Sequence, residues 1–228
     1  MMKKSTFIFF LTIYLSACST SHQAQAPTQP SLGLCGEHMS KRDGMTLSIA
    51  KQNFKNGLYL SSLANLEHIN DNLISKKALQ ASAYRKSGQL EEAKNIYNKL
   101  LNSCLDGNAA HGLGLVAAYQ GNMIDAKHWF TYAISKQPTN ANIQNDFGFL
   151  LFSLGEVEKA RHQFLTALEL DPQHQIAAKN LWLALLNNGE YVAAEKLRSR
   201  FEWDEGESDK FANAAKQFTP IALKDDNQ

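Results

Sequence analysis

The chain has 228 residues, with 23 Lys and Arg against 22 Asp and Glu. Two of the lysines, Lys3 and Lys4, lie in a leader that reads as removable, which leaves 21 basic against 22 acidic side chains and no basic stripe. That balance excludes nucleic acid as a partner, because phosphate binding needs clustered positive charge, and the length fits one domain or one elongated array.

The first element is a leader. After the two lysines comes the apolar run "FIFFLTIYL", residues 7–15, and then the small residues Ser16 and Ala17. A basic start, a short apolar core and small residues before a break describe a secretory signal over residues 1–17. The core is too short to cross a bilayer, which takes about 20 residues. It stops at "LSAC", ending in Cys18. This resembles the bacterial lipobox. The resemblance implies that Cys18 is diacylated on sulfur, that the chain is cut before it, and that the new amine is acylated. An ordinary cleaved signal, or an uncleaved anchor, with an incidental cysteine is the competing reading. Several acyl chains make a stable anchor, since each buried methylene contributes about 0.8 kcal/mol. Ser19 follows. In lipoproteins of this kind an aspartate there tends to retain the protein in the inner membrane, so the expected location is the periplasmic face of the outer membrane.

Residues 18–34 continue as the lipidated cysteine and a flexible linker. "STSHQAQAPTQPSLGL" lacks charge and is rich in Ser, Thr, Gln, Ala and Pro, a composition with too little apolar surface to pack. With Cys18 lipidated, Cys35 and Cys104 remain as a pair. An exported chain meets an oxidising compartment where such a pair usually closes. Two buried or free thiols are the alternative, because spatial separation cannot be read from sequence.

Residues 35–203 read as a repeat array. "NAAHGLGLVAAYQGNMIDAKHWFTYAISKQP" and "NIQNDFGFLLFSLGEVEKARHQFLTALELDP" match at Gly114/Gly148, Gly121/Gly155, Ala126/Ala160, Phe130/Phe164, Ala133/Ala167 and Pro138/Pro172, each 34 residues apart. This resembles the tetratricopeptide repeat, whose period is 34. The small residues let two antiparallel helices approach. Gly121 and Gly155 fall in the turn, where positive φ is needed. The phenylalanines fill the space between helices, and the prolines end the second helix. The units expected are about 43–73, 74–106, 107–140, 141–174 and 175–203. The unit at 74–106 is one residue short and lacks its final proline, and Trp182 stands where the repeat has Gly148. In 204–228, Ser208 is an N-cap candidate, with Phe211, Ala214, Ala215 and Phe218 at helical spacing. That segment reads as a capping helix, which repeat arrays require at an open end, followed by a tail. No segment reads as a β strand. The expected fold is all-α: a right-handed superhelix of tetratricopeptide hairpins with a C-terminal capping helix.

In such folds the first helix of each unit lines a concave face. By register the candidates are Ser82, Arg85, Lys86, Asn108, His111, Leu115, Tyr119, Asn142, Asn145, Phe149, Phe152, Lys179, Leu183 and Asn187. Amide and basic side chains beside aromatics suit a bound peptide or helix: the amides pair with its backbone and the rings take its apolar side chains. For Leu115 and Leu183 a core position is equally open, and for Phe149 and Phe152 groove and core stand even. Catalytic chemistry is not visible. The histidines scatter, His128 and His162 occupy one outward repeat position, and no nucleophile–base pair has a convincing context. No catalytic residue, metal site or cofactor is expected.

The signal, the lipobox and the run "NDFGFLLFSLGEVEKARHQFLTALELDPQHQIAAKNLWLALLNNGEYVAAEKL" together resemble the TadD family, the tetratricopeptide lipoproteins of tight-adherence (Flp-type) pilus systems. The resemblance covers about residues 1–203. It implies a non-enzymatic assembly factor, membrane-attached through its lipid, whose protein partner is a pilus secretin subunit or another pilus assembly protein. A type IV pilus pilotin and an adaptor for cell-wall hydrolases share this build and stay open as alternatives.

Overall fold

The computed structural model describes residues 31–222. The leader, Cys18 and most of the linker lie outside the described residues, as does the chain from 223 onward. Among the described residues helices follow one another as hairpins. They are α1 (Lys41–Lys55) and α2 (Tyr59–Leu66), α3 (Ile74–Lys86) and α4 (Leu90–Leu100), α5 (Asp106–Tyr119) and α6 (Met123–Lys136), α7 (Ala141–Ser153) and α8 (Val157–Leu170), α9 (Gln175–Asn187) and α10 (Tyr191–Arg200), then α11 (Glu205–Gln217). Each helix packs on its hairpin mate, and the second helix of a hairpin packs on the first of the next. The result is the expected all-α superhelical array.

The repeat residues build it as their chemistry demands. Gly121 and Gly155 turn the chain at φ of 78° and 76°, the left-handed region that costs other residues strain. Phe130 and Phe164 are fully buried, with Ala126, Ala133, Ala160 and Ala167 around them. Ala and Gly on the facing helices leave the room those rings fill. One period further on, the glycine is Trp182 and the phenylalanine is Arg198, so the bulk changes helices. Trp182 is buried and meets Trp203 and Phe211 edge-on, with centroids 5.9 Å and 6.2 Å away. The departure from the repeat thus marks where the array hands over to α11.

Two expectations need correction. The linker does not run unstructured to residue 34, and a β element exists: β1 (Ser31–Leu32) pairs antiparallel with β2 (His38–Met39). Glu37 fixes this small hairpin to α3. Its Oε1 accepts from the Ser75 N–H and from Ser75 Oγ, both at 2.8 Å. Burial alone would raise the Glu37 carboxyl, but the hydrogen bonds, those from Ser75 foremost, hold it below its ordinary value. Cys35, in the loop of this hairpin, is disulfide-bonded to Cys104 beyond α4, with the Cα atoms 5.7 Å apart. The second correction concerns α11. It begins at Glu205 rather than at Ser208. Ser208 sits inside the helix, its hydroxyl donating to the Asp204 carbonyl at 3.0 Å, the back-bonding that serines inside helices adopt. Phe211 packs on Trp182 of the last hairpin, whereas Phe218, just past the end of α11, packs on Phe152 of α7.

Candidate protein-binding groove

The first helices α3, α5 and α7 place their candidate residues around two adjoining clefts. One, of about 260 Å³, is lined by Ser82, Arg85, Tyr97, Asn108, His111 and Leu115, among others. The second, of about 310 Å³, is lined by Leu115, Ala118, Tyr119, Met123, Phe149 and Leu150, with Asp146, Ser153 and Ile221 at its margin. Leu115 belongs to both, so the clefts form one groove. Its chemistry changes along its length. The α3 end is polar and basic: Arg85 Nε is buried and makes no hydrogen bond among the described residues. The α7 end is apolar, and its rings are accessible, Tyr119 being 62% and Phe149 49% exposed.

A hydrogen-bonded ladder runs beneath the groove from α5 to α9. His111 Nε2 lies 2.8 Å from Asp146 Oδ2. Asn145 Nδ2 donates to Asp146 Oδ1 at 3.0 Å, and Asn180 Nδ2 donates to Asn145 Oδ1 at 2.9 Å. Three successive first helices are thereby held in register. Partly buried polar groups that satisfy one another in this way rigidify their surroundings.

Several sequence candidates are placed elsewhere than expected. Asn145 is only 4% exposed; it is a rung of the ladder, closed over by Asn180, and is not a groove contact. Phe152 is 3% exposed and stacks on Phe218 at 4.2 Å, so it belongs to the core beneath the tail. Lys179 lies over the rings of Phe211 and Trp203, at 5.3 Å and 5.9 Å, against the capping helix. Asn142 is exposed but meets His174 at 3.2 Å, and Lys86 is exposed at the end of α3 outside both clefts. Asn108 is exposed and its Oδ1 accepts from Gln137 Nε2 at 2.7 Å. Ser82 shares a hydrogen bond with the Tyr97 hydroxyl at 3.2 Å. Leu115 and Leu183 are half-buried and Asn187 is exposed. The structure therefore gathers Ser82, Arg85, Asn108, His111, Leu115, Tyr119 and Phe149 and separates the rest. His128 and His162 are exposed, and among the described residues no group of three or more His, Cys, Asp or Glu side chains could hold a metal ion.

Two features escaped the sequence reading. The tail turns back onto α7, where the Ile221 N–H donates to the Ser153 carbonyl at 2.7 Å. Ion pairs also brace consecutive units: Lys127 to Glu156 at 2.6 Å and Arg161 to Glu190 at 2.9 Å. Both partners of the second pair lie 34 residues beyond those of the first. That charge spacing was the signal available for the braces; none was available for the tail.

Comparison with known proteins agrees with this architecture. The family model for the tetratricopeptide repeat matches residues 78–105 and 141–174. Over 170 residues the chain is 29% identical to the TPR repeat-containing protein PA4299 of Pseudomonas aeruginosa, covering 75% of this chain and 69% of that protein. Among solved structures it is similar to TTC0263, a thermophilic TPR protein of Thermus thermophilus, with a TM-score of 0.63 at 17% identity over 77% of this chain and 97% of that one. It is also similar to YrrB, described as a TPR protein with an unusual peptide-binding site, with a TM-score of 0.51 at 18% identity over 75% and 90% of the two chains. The chain carries tetratricopeptide repeats over the matched segments, and its fold is that of the tetratricopeptide structures.

Proposed function

We propose that this chain is a non-enzymatic outer-membrane lipoprotein that captures a segment of a partner protein during assembly of a tight-adherence (Flp-type) pilus, the partner being its secretin subunit. The observation that carries the binding half of this reading is the groove itself. Tyr119 and Phe149 stand exposed in a concave apolar cleft, next to a polar end where the Arg85 Nε–H has no acceptor among the described residues. Exposed aromatics in a concave site mark a surface that another molecule covers. An extended segment suits both ends, with apolar side chains for the cleft and backbone or acidic oxygens for Arg85.

The pilus and membrane half rests on the leader, the lipobox and the resemblance of the repeat run to the TadD family. Anchoring would raise the groove's effective concentration near membrane-inserted partners and lower the affinity that capture requires. The test is a photo-crosslinking residue at position 119, irradiated in cells and followed by recovery from membranes. A secretin subunit of the tight-adherence system is the expected adduct. A type IV pilus secretin would make the chain a pilotin, and a murein hydrolase would make it an adaptor for cell-wall enzymes.

A further inference from the structure

The chain does not leave the molecule at the end of α11. Phe218 stacks on Phe152, with centroids 4.2 Å apart and planes inclined by 19°. Pro220 then lies against the turn at Gly155. Ile221 reaches the margin of the apolar cleft that contains Tyr119 and Phe149. There its backbone N–H donates to the Ser153 carbonyl at 2.7 Å.

Ser153 is the last residue of α7, and helix-terminal carbonyls have no partner within their own helix. The preceding carbonyls, Leu150, Leu151 and Phe152, are taken by Leu154, Glu156 and Gly155 in the turn. That turn leaves the Ser153 carbonyl open, and the tail fills it with a backbone donor. Ile221 is thus already seated at the apolar end of the groove, while Phe218 anchors the same stretch behind it on the buried Phe152. The stretch offers an aromatic side chain, an aliphatic one three residues later, and a backbone N–H at the second.

We propose that residues 218–222 are a resident self-ligand, and that the groove's incoming partner is an extended peptide with the same arrangement, which must displace the tail to bind. This rests on the groove being the partner-binding surface. Among the described residues the tail is held by the backbone hydrogen bond at Ile221, the Phe218 stack and the Pro220 contact at the Gly155 turn, and Ile221 is still 44% exposed. Because it is tethered, however, it competes at an effective concentration on the order of millimolar. It therefore sets a threshold that weak or mismatched peptides do not pass.

The experiment uses the full chain, its F218A/I221D variant, and a fluorescent peptide reproducing residues 215–222. The variant should bind the peptide about tenfold more tightly than the unaltered chain, consistent with removal of a tethered competitor. Adding Phe149→Asp to the variant should abolish that binding. In the unaltered chain, excess peptide should accelerate hydrogen exchange at the Ile221 amide several-fold. Equal affinity for both proteins, no binding to a variant that melts like the wild type, or an Ile221 amide indifferent to peptide would each overturn the self-ligand. The two readings fail separately. Peptide competition without any pilus protein crosslinked at position 119 would remove the pilus assignment alone. A secretin adduct without peptide competition would remove the self-ligand alone.

Discussion

Gly148 and the ring of Phe164 occupy one shared space: a β-carbon on Gly148 would stand 2.7 Å from Cε1 of Phe164. Phe164 is fully buried and cannot swing into solvent. Gly148→Ala should therefore destabilise the array although alanine is the better helix former. Overpacking costs about 1–3 kcal/mol, while the propensity gain is no more than ~1 kcal/mol. At the equivalent Gly114, the same atom would lie 3.2 Å from the Phe130 ring, and Gly114→Ala should be close to neutral. Urea denaturation of the two variants tests the order. A Gly148→Ala midpoint equal to that of the wild type would mean that α7 and α8 can separate without loss.

The brace at Glu156 carries a pH signature. Hydrogen bonds from Lys127 and then Lys159 hold its carboxyl below the ordinary value of 4.5, outweighing its partial burial. A folded-state value beneath the unfolded one means stability that is present above about pH 4.5 and is lost as pH falls through the folded value. Comparing wild type with Glu156→Gln, the stability difference should be flat at neutral pH, about 0.5 kcal/mol as befits a partly exposed pair. It should shrink below pH 4.5. A difference that grows on acidification contradicts this assignment.

The hairpins were legible in the sequence because close helix approach admits few residue types, and those types recur every 34 positions. The groove was legible only in part. Register put Asn145, Phe149 and Phe152 on α7, but register does not say what arrives from elsewhere to cover them. Asn180 closes over Asn145 from α9, and Phe218 closes over Phe152 from beyond the last repeat. Phe149 stays open because neither reaches it. The braces obey the period and could have been found by matching basic residues to glutamates 29 positions later, as in Lys127–Glu156 and Arg161–Glu190.

Phe149 and Asn145 should now behave differently from each other. Phe149→Ala removes an exposed ring and should weaken capture of the crosslinked partner at least severalfold, with a melting temperature close to wild type. Asn145→Ala leaves the Asn180 amide and Asp146 without a shared partner and should cost about 1–3 kcal/mol of stability. Thermal melts alongside the binding measurement separate the two. An early melt for Phe149→Ala would place that ring in the core.

Reduction should loosen the amino-terminal part of the array first. Cys35 and Cys104 are separated by 69 positions, and chain-entropy estimates for a loop of that length give about 4 kcal/mol. Unit 43–73 has no match to the repeat model, unit 74–106 is one residue short and lacks its final proline, and both lie within or beside that loop. Hydrogen exchange in α1–α4 should rise on adding reductant while α7 and α8 stay protected. Uniform acceleration across the chain would show that the array unfolds as one cooperative body instead.

Cys18→Ser should abolish lipid attachment and, with it, removal of the leader. The mutant should run larger on a gel and leave the outer-membrane pellet. A processed Cys18→Ser protein that still sediments with that membrane contradicts the lipobox reading.

The bond between Cys35 and Cys104 also decides where force goes. A pull applied at residue 31 and resisted by something held at the apolar end of the groove, on α5 and α7, does not pass along the chain through α1–α4. It crosses at Cys35 and emerges at Cys104, two residues before α5 begins at Asp106. The first two hairpins hang beside the line of tension and bear none of it. If the bond is opened, they enter the line. Once they give way, the tether lengthens by about 240 Å, at roughly 3.5 Å for each of the 69 positions released. In the oxidised protein the groove hangs on a short, stiff strap; in the reduced one it hangs on a long spring.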